Sequence, residues 1–363
     1  MKKSFALLAL VLTVSSCNKE TNDFIWEKSF GQGNAFFVRA SSDSGIVSCG
    51  TLEDNPYLLK LTKDKKAVIE FTSERKGLFN SAWFDTSCFV AGGNNDGKML
   101  LACIDNDGNK KWDTIITAGF KVDLTNLSYC GSGNLVAVGT AIPDSADFGS
   151  TGILFVKFDT TGQIIETKTV TETGFIAANK ITSDGSGNIY LPLTRRKTGA
   201  KSQASVAKYS AEFNKLWETD LYTNPNFGAA SLGIILDNSR NVYVSGNTEL
   251  SAEESVLNNS FLASLTSSGS IRWKKYLEKS NSGAALIFNE SDDLMMLNAN
   301  CFIVDMANPD DGSDAGKIKM FDICDSYNTD AVGTDLDLNY DGNILVAGSK
   351  GGNYYLALKS LLQ

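Results

Sequence analysis

The sequence predicts an all-β fold, specifically a seven-bladed β-propeller of four-stranded antiparallel blades. The first observation is a segment that recurs seven times: a polar turn, alternating β-forming residues, then in most copies a glycine. The copies are DSGIVSCGT at residues 43–51, DTSCFVAGG at 85–93, SGNLVAVGT at 132–140, SGNIYLPLT at 186–194, SRNVYVSGN at 239–247, SDDLMMLNA at 291–299 and DGNILVAGS at 341–349. Their eighth residues lie 42, 47, 54, 53, 52 and 50 positions apart. This period is typical of propellers and other repeat arrays.

Each repeat contains four strand signals, which is the second observation. In the second repeat they fall at residues 81–86, 88–92, 99–104 and 110–116. The last two are joined by residues 105–109, DNDGN, a turn between alternating hydrophobic residues. This turn begins like a calcium-binding loop, but its twelfth position is Ile116 instead of glutamate, which favours a plain turn. Four short antiparallel strands per repeat are typical of propeller blades.

The two ends of the chain complement each other, which is the third observation. The seventh repeat has strand signals at residues 332–338, 344–348 and 354–359, and then the chain reaches Gln363 without a fourth. Residues 24–30, FIWEKSF, precede the first repeat and match the tryptophan-bearing fourth strand of other repeats. We therefore expect residues 24–30 to complete the last blade, closing the ring and removing an exposed sheet edge.

Three of the fourth strands carry a tryptophan: Trp112, Trp217 and Trp273. A ligand-binding shelf is one interpretation of these rings. A large apolar side chain at one position of a repeat favours the other interpretation, packing between neighbouring blades.

The N-terminal residues indicate a secreted, lipid-anchored protein. Two lysines follow the first methionine, and the apolar stretch at residues 5–14 is too short to span a bilayer. The ending Val-Ser-Ser-Cys17 resembles the lipobox of bacterial lipoproteins, which implies acylation of Cys17 and, with Asn18 next, sorting to the outer membrane. An ordinary signal peptide cleaved near Ser16 is the alternative. The expected divisions are a signal peptide at residues 1–17, a tether at 18–23 and the propeller at 24–363.

Composition excludes several classes of function. The chain has no histidine, which removes Ser-His-Asp and Cys-His catalysis and imidazole zinc sites. Its net charge of −9 becomes more negative when the two lysines of the signal peptide are removed, which disfavours binding to nucleic-acid phosphates. No Walker loop or dinucleotide-binding glycine motif occurs in the sequence. We expect no nucleic-acid partner, no cofactor and no metal.

The mature chain has an even number of cysteines, which in an oxidising compartment permits three disulfides. They are Cys49, Cys88, Cys103, Cys130, Cys301 and Cys324. Cys88 and Cys103 lie on consecutive predicted strands, and Cys301 and Cys324 flank another hairpin. Small buried thiols in a β-core are the alternative, which we favour because directly cross-strand cysteines often miss disulfide geometry.

From residue 24 to 363 the chain resembles bacterial seven-bladed propeller repeat proteins. Their repeats combine a strand ending in glycine, a second strand, an Asp/Gly turn and a strand with tryptophan. The turn at residues 158–162, FDTTG, also resembles the repeats of quinoprotein-type propellers, although not every repeat has both turn and tryptophan. As a lipoprotein propeller, the chain further resembles the accessory subunit of the outer-membrane barrel-assembly machinery. These resemblances imply scaffolding or binding, and a propeller fold by itself implies no reaction.

Long connections between second and third strands occur in three successive repeats, at residues 140–152, 194–204 and 247–260. The middle connection is basic, and the two neighbouring connections are acidic. The basic residues are Arg195, Arg196, Lys197 and Lys201, and the acidic ones are Asp144, Asp147, Glu249, Glu253 and Glu254. The first three basic residues are candidates for a docking surface, since function concentrates on such loops. Drift in tolerant loops is the alternative.

Aromatic residues recur where one repeat passes to the next. They are Phe79, Phe120, Phe175, Phe227 and Tyr327. If these connections share a face, the side chains form a ring at the mouth of the central channel, where they would stack on a sugar or another flat ligand. Apolar plugs beneath the loops are the alternative, and the one that we favour.

The functional prediction is a monomeric, lipid-anchored binding protein at the outer membrane that recognises a protein or glycan and catalyses no reaction. A glycan hydrolase or lyase that uses two carboxylates is the first alternative, although the sequence does not identify the pair. A scaffold for outer-membrane assembly is the second. A structure that shows where the aromatic residues point would best separate these hypotheses.

Overall fold

β-strands and turns make up the described part of the chain. The computed structural model describes residues 24–117, 120–123, 126–143, 150–197, 199–224, 226–249, 258–277, 283–299, 303–319 and 331–361. Within these ranges there is no helix with the length and hydropathy needed to cross a membrane. Several residues singled out in the sequence lie outside the described ranges, among them Cys17, Asp144, Asp147, Glu253, Glu254, Cys301, Cys324 and Tyr327.

The strands are numbered here in chain order. The first fifteen are β1 (Phe24–Ala40), β2 (Ile46–Leu52), β3 (Asn55–Leu61), β4 (Ala67–Thr72), β5 (Leu78–Phe84), β6 (Cys88–Asn95), β7 (Lys98–Asp105), β8 (Lys110–Ile116), β9 (Lys121–Asp123), β10 (Leu127–Gly131), β11 (Asn134–Ile142), β12 (Ser150–Asp159), β13 (Ile164–Thr173), β14 (Phe175–Ala178) and β15 (Thr182–Ser183). The others are β16 (Ile189–Arg196), β17 (Gln203–Tyr209), β18 (Lys215–Tyr222), β19 (Ala229–Leu236), β20 (Val242–Glu249), β21 (Asn258–Leu265), β22 (Ile271–Leu277), β23 (Gly283–Phe288), β24 (Leu294–Asn298), β25 (Ile303–Ala307), β26 (Asp314–Lys319), β27 (Ala331–Leu338), β28 (Ile344–Lys350) and β29 (Asn353–Lys359).

Among the described residues these strands form six antiparallel sheets. Three sheets have four strands, in the orders β5-β6-β7-β8, β19-β20-β21-β22 and β23-β24-β25-β26. In two more, β10-β11-β12-β13 and β14-β16-β17-β18, the first strand is divided, so that β9 also pairs with β11 and β15 with β16. The sixth sheet has the order β27-β28-β29-β1-β2-β3-β4. Repeated four-stranded antiparallel sheets fit a β-propeller.

The long strand β1 joins the two ends of the chain. Its residues 24–32 pair with β29, and its residues 33–40 pair with β2. Residues 24–30 therefore lie beside the last strand, as predicted. β1 serves both as the outer strand of the last repeat and as the first strand of the first repeat.

The core is distributed between consecutive sheets. Second and third strands are covered on both faces, which explains why segments such as MLLACI in β7 are apolar throughout and fully buried. One cluster brings Val47 and Leu58 of the first repeat against Phe89 and Leu100 of the second. A corresponding cluster packs β23, β24 and β25 against β27, β28 and β29. Each sheet therefore buries its apolar faces against its neighbours.

Hydrogen bonds from backbone N–H groups to polar side chains stabilise the turns that connect the strands. Asp159 Oδ1 accepts hydrogen bonds from the backbone N–H groups of Thr161 at 2.9 Å and Gln163 at 3.0 Å. Asp105 makes the corresponding bonds in the DNDGN turn, to Asp107 at 3.0 Å and Asn109 at 2.8 Å. The carboxylate of Asp105 thus stabilises the turn itself, as the plain-turn interpretation predicts.

The fourth-strand tryptophans pack between sheets, which confirms the favoured interpretation. Each donates its Nε1–H to a backbone carbonyl in a turn of the next sheet. The pairs are Trp112 with Thr160 at 3.1 Å, Trp217 with Ser267 at 3.2 Å and Trp273 with Pro309 at 2.9 Å. The indole of Trp112 lies on Gly162, where φ is 87° and a Cβ would approach the ring to 2.8 Å. Glycine is needed there for both reasons.

The described cysteines have free thiols. Cys49, Cys88 and Cys103 are buried in the cores, and Cys130 is half-buried. Burial raises the pKa of Cys49 well above its ordinary value. A hydrogen bond from Cys103 lowers the pKa of Cys88 to about 7. The burial of Cys49, Cys88 and Cys103 fits the favoured interpretation of the sequence, in which small thiols fill the β-core.

Candidate functional site

A cavity of about 350 Å³ lies where the first strands of all seven repeats meet. We call it the axial cup. Its lining residues are Phe36, Asn80, Asn126, Asn179, Lys180, Leu232, Ala284, Ala299, Val332, Gly333 and Thr334. Each repeat contributes at least one of them, so the cup lies on the common axis of the first strands.

β-Bulges turn these residues toward the axis. In five first strands the register with the second strand skips one residue, which is then free of the ladder. The skipped residues are Phe36, Asn80, Leu232, Ala284 and Thr334. In the other two repeats the first strand is interrupted near Asn126 and between β14 and β15, where Asn179 and Lys180 lie. The cup is therefore lined by residues released from regular pairing.

An ion-pair cluster crosses the axis beside the cup. Asp335 on β27 is 1% exposed, and its carboxylate accepts hydrogen bonds from Arg39 Nη1 and Lys180 Nζ, each at 2.6 Å. The backbone N–H of Val38 donates a third, at 3.1 Å. Lys180 comes from the fourth repeat and Asp335 from the seventh, three repeats later in chain order. Its side chain therefore reaches across the axis.

Lys180 and Asp335 divide the axial space in two. A smaller and more enclosed cavity of about 70 Å³, the inner chamber, lies on the Arg39 side and is also lined by Lys180 and Asp335. Phe36, Asn80, Asn126 and Lys180 line both spaces. Lys180 therefore lies at the boundary between the cup and the inner chamber, and its partner Asp335 lines the inner chamber but not the cup.

Burial and charge act in opposite directions on the ionisation of this cluster. Burial alone raises the pKa of Asp335, but Arg39 and Lys180 outweigh it and hold that pKa below its ordinary value. Burial lowers the pKa of Lys180. Burial also raises the pKa of Asp337, whose Oδ2 accepts a hydrogen bond from the N–H of Ala40 at 2.7 Å. Asp335 is therefore an ionised structural partner of two cations.

The cup opens toward the edge that carries the long connections. Gly333 and Val332 lie near the start of β27, and Ala299 directly follows the end of β24. In an antiparallel sheet the end of the second strand and the start of the first lie at one edge. The connections between second and third strands leave from that edge, so the cup and the predicted docking surface share a face.

The basic connection contains one structural arginine and two exposed cations. Arg195 donates to the carboxylate of Glu218 through both Nε and Nη2, the latter at 2.6 Å, and both side chains are about one-fifth exposed. Arg195 is therefore occupied within the protein and is not a free docking residue. Arg196 and Lys197 are exposed as the sequence predicts.

Neighbouring connections touch through opposite charges. Lys201 Nζ of the basic connection lies 3.2 Å from Glu249 Oε2 at the end of β20. The same Glu249 oxygen accepts the N–H of Gly228 at 3.0 Å. The basic connection therefore lies beside the acidic residue Glu249, as predicted. The other acidic candidates, Asp144, Asp147, Glu253 and Glu254, lie outside the described residues.

The aromatic candidates do not form one exposed ring. Phe79 is fully buried between the first two repeats, so it cannot stack on a ligand. Phe120 is half-buried against the next core, and Phe227 is also half-buried. Phe175 begins β14, but its side chain is outside the described part of the chain. Phe79 and Phe120 pack into the cores, which agrees with the apolar-plug interpretation.

No family model matches the chain, and no curated protein matches it. Among solved structures, the chain is similar to an alpha-L-arabinanase of Penicillium chrysogenum solved with arabinobiose, at 9% identity and a TM-score of 0.54, over 77% of this chain and 92% of that one. A protein of unknown function from Bacteroides caccae matches at 11% identity and a TM-score of 0.46, over 74% and 84%. At such identity the likeness to the arabinanase is a likeness of fold, and it agrees with an all-β propeller.

Proposed function

We propose that this chain is a closed seven-bladed propeller that binds a protein or glycan on the face where the axial cup opens, without chemistry of its own. Two features support seven blades: first strands from seven repeats line one cup, and β1 pairs with both β29 and β2. Closure by β1 leaves each sheet covered by two neighbours.

The observation that carries the binding proposal is the cup itself. It is concave, opens on one face, and combines carboxamides with apolar side chains, which is the usual composition of a small-ligand site. Arg196 and Lys197 on the same face extend the surface available to a larger partner.

The same geometry argues against catalysis by the axial carboxylates. Asp335 is held by two cations and is 1% exposed, so it offers no free oxygen to a substrate. In the described part of the chain there is no group of three or more Cys, Asp or Glu residues arranged to hold a metal ion. The hydrolase alternative would instead need carboxylates on the loops, and release of reducing ends from arabinan or another glycan would support it.

We further propose that Cys17 anchors the protein to the outer membrane through a lipid, with residues 18–23 as tether. The partner would then be an envelope protein or a glycan that reaches the envelope. An assembly scaffold is the alternative within this location, and it differs in requiring a protein partner from the outer membrane.

The test is capture from envelope extract together with a glycan array, using wild type and an Arg196→Glu/Lys197→Glu variant. Charge reversal beside the cup should slow association more than it changes melting, because charge governs encounter more than packing. The matched control is Lys63→Glu/Lys66→Glu, an equal charge change in a turn at the opposite edge. If the Arg196→Glu/Lys197→Glu variant retains every wild-type partner at wild-type rates, Arg196 and Lys197 are not part of the binding surface.

A further inference from the structure

We infer that the axial cup takes the end of a neutral, hydroxyl-bearing ligand, namely one sugar residue of a glycan. The inference rests on the proposed function and specifies its ligand. Three observations support it: the cup wall has a polar and an apolar part, two of its asparagine amides have defined hydrogen-bond partners, and the charge of Lys180 at its base is balanced by Asp335.

The cup wall has a polar arc and an apolar arc. Asn80, Asn126 and Asn179 come from three successive repeats and lie side by side around the axis. The remaining repeats contribute mainly apolar residues: Phe36, Leu232, Ala284, Ala299 and Val332. A ligand that fills the cup must therefore present hydrogen-bonding groups along one edge and an apolar face to the other side.

The polar arc presents mainly acceptors. The Nδ2 group of Asn126 donates to the carbonyl of Asn179 at 2.6 Å, and Nδ2 of Asn179 donates to the carbonyl of Ser231. These bonds between repeats direct the nitrogen of each side-chain amide to a protein acceptor. Within the described residues, Asn80 Oδ1 is buried and has no hydrogen-bond partner. Because that oxygen is inaccessible where it lies, the Asn80 amide has to rotate toward the cup before a ligand donor can remove the cost of leaving it unpaired.

One donor complements these acceptors. Lys180 Nζ donates to Asp335 Oδ1 at 2.6 Å and lies 3.5 Å from the carbonyl of Thr334, which leaves a further N–H available at the base of the cup. Hydroxyl groups suit this arrangement because each donates one hydrogen bond and accepts others.

The charges at the base of the cup favour a neutral ligand. The ammonium of Lys180 is already balanced by Asp335, and its presence opposes entry of a cationic group. The carboxamide oxygens of the polar arc oppose a carboxylate or phosphate. The second cation of the cluster, Arg39, lines the inner chamber and not the cup.

Size restricts the ligand to a small unit. About 350 Å³ is near the lower end of the range for small-molecule sites, roughly 300–1,000 Å³. Beyond the cup the axial space narrows to the inner chamber of about 70 Å³, which leaves little room for a chain to continue along the axis. A terminal sugar residue, with a hydroxyl edge toward the asparagines and a C–H face toward Phe36, fits these limits.

The test is calorimetric titration with disaccharides of similar size: neutral cellobiose, maltose, xylobiose and galactobiose, acidic digalacturonate, and the basic glucosamine disaccharide. We expect a neutral member to bind best. Asn80→Ala should weaken that binding about fivefold to tenfold, the loss of one hydrogen bond. Phe36→Ala should weaken it roughly tenfold through lost apolar contact, and Phe36→Leu serves the same purpose if alanine prevents folding. Asn238→Ala, in an exposed turn at the opposite edge, should bind as wild type.

Several outcomes overturn the inference. These are absence of binding by every neutral disaccharide at millimolar concentration, tighter binding of the acidic or basic member, or wild-type affinity in both the Asn80 and Phe36 variants. Capture of an envelope protein that depends on Arg196 and Lys197 but not on Asn80 or Phe36 would refute the sugar cup while leaving the proposed binding face intact. Loss of both kinds of binding would refute both.

Discussion

Replacing Asp335 with asparagine should destabilise the fold by removing the charge that holds two cations at the axis. Asp335 accepts hydrogen bonds at 2.6 Å from both Arg39 and Lys180, whose side chains are 35% and 25% exposed. Asparagine keeps the shape but removes the carboxylate that contacts both cations, and Asp337, whose charge acts on Arg39, remains. Breaking a buried pair costs about 3–5 kcal/mol, and the partial exposure of the cations places this case near 3 kcal/mol.

Urea unfolding followed by tryptophan fluorescence measures this loss. At an m-value of about 3 kcal/mol/M, a loss of about 3 kcal/mol lowers the urea midpoint by roughly 1 M. The matched control is Asp113→Asn, since Asp113 also pairs with two cations, Arg75 and Lys110, both at 3.1 Å but with side chains 44% and 46% exposed. Such exposed pairs contribute about 0–1 kcal/mol. Equal midpoint shifts for the two variants would refute a structural role for the axial cluster.

The pH dependence of the same difference follows from the direction of the pKa shift. Because the ion pairs hold the pKa of Asp335 below its unfolded value, its stabilisation is fully present above about pH 4, the ordinary range for aspartate. It is lost as the pH falls through the lower, folded pKa. The gap in unfolding free energy between wild type and Asp335→Asn should therefore be constant at neutral pH and narrow on acidification. A gap that widens on acidification contradicts the assignment.

Three further predictions concern other parts of the chain. Burial raises the pKa of Asp337, so Asp337→Asn, which keeps an acceptor for Ala40 N–H, should unfold at the wild-type urea midpoint or above it; a fall like that of Asp335→Asn would contradict this. Removing residues 24–30 strips β29 of its partner and loses the half-buried Trp26, and should cost about 3 kcal/mol; an unchanged melting temperature argues against closure by β1. Cys17→Ala should release the protein from membranes and abolish palmitate-analogue labelling, and a variant that still labels refutes the lipobox interpretation.

Periodicity made the sheets predictable from the sequence. The repeated DGNILVAGS-type segment marks second strands, and the observed strand β28, Ile344–Lys350, begins inside the copy at residues 341–349 and ends one residue beyond it. The position of residues 24–30 followed from a missing strand at one end and a spare strand at the other. Trp112 was assigned to packing because its position recurs. Each of these inferences needed only local pattern and its repetition.

The axial residues could not be predicted by the same means. A β-bulge changes which face a residue occupies, and alternation along a strand does not reveal where the register skips. Asp335 belongs to the segment TDLDL, which reads as an ordinary alternating strand, while its partner Lys180 lies 155 positions away. A weak signal existed: Asn80, Asn126 and Asn179 each precede the eighth residue of their repeat segment by 12 to 14 positions. This spacing indicates that the three asparagines share a site only when the position of the cup is already known.

The difference among equivalent axial positions is what distinguishes this chain from a bare repeat. Positions that have a structural role tend to carry the same residue type in different repeats, as Gly162 and Gly312 do where they contact Trp112 and Trp273. At the axis, by contrast, successive repeats supply phenylalanine, three asparagines, leucine, alanine and threonine. Two of the carboxamides, those of Asn126 and Asn179, bond to backbone carbonyls of the next repeat, whereas Asn80 Oδ1 has no partner among the described residues. This asymmetry supports the inference that the cup takes a ligand, and variants at Asn80 and Phe36 test that inference more directly than variants of the loops.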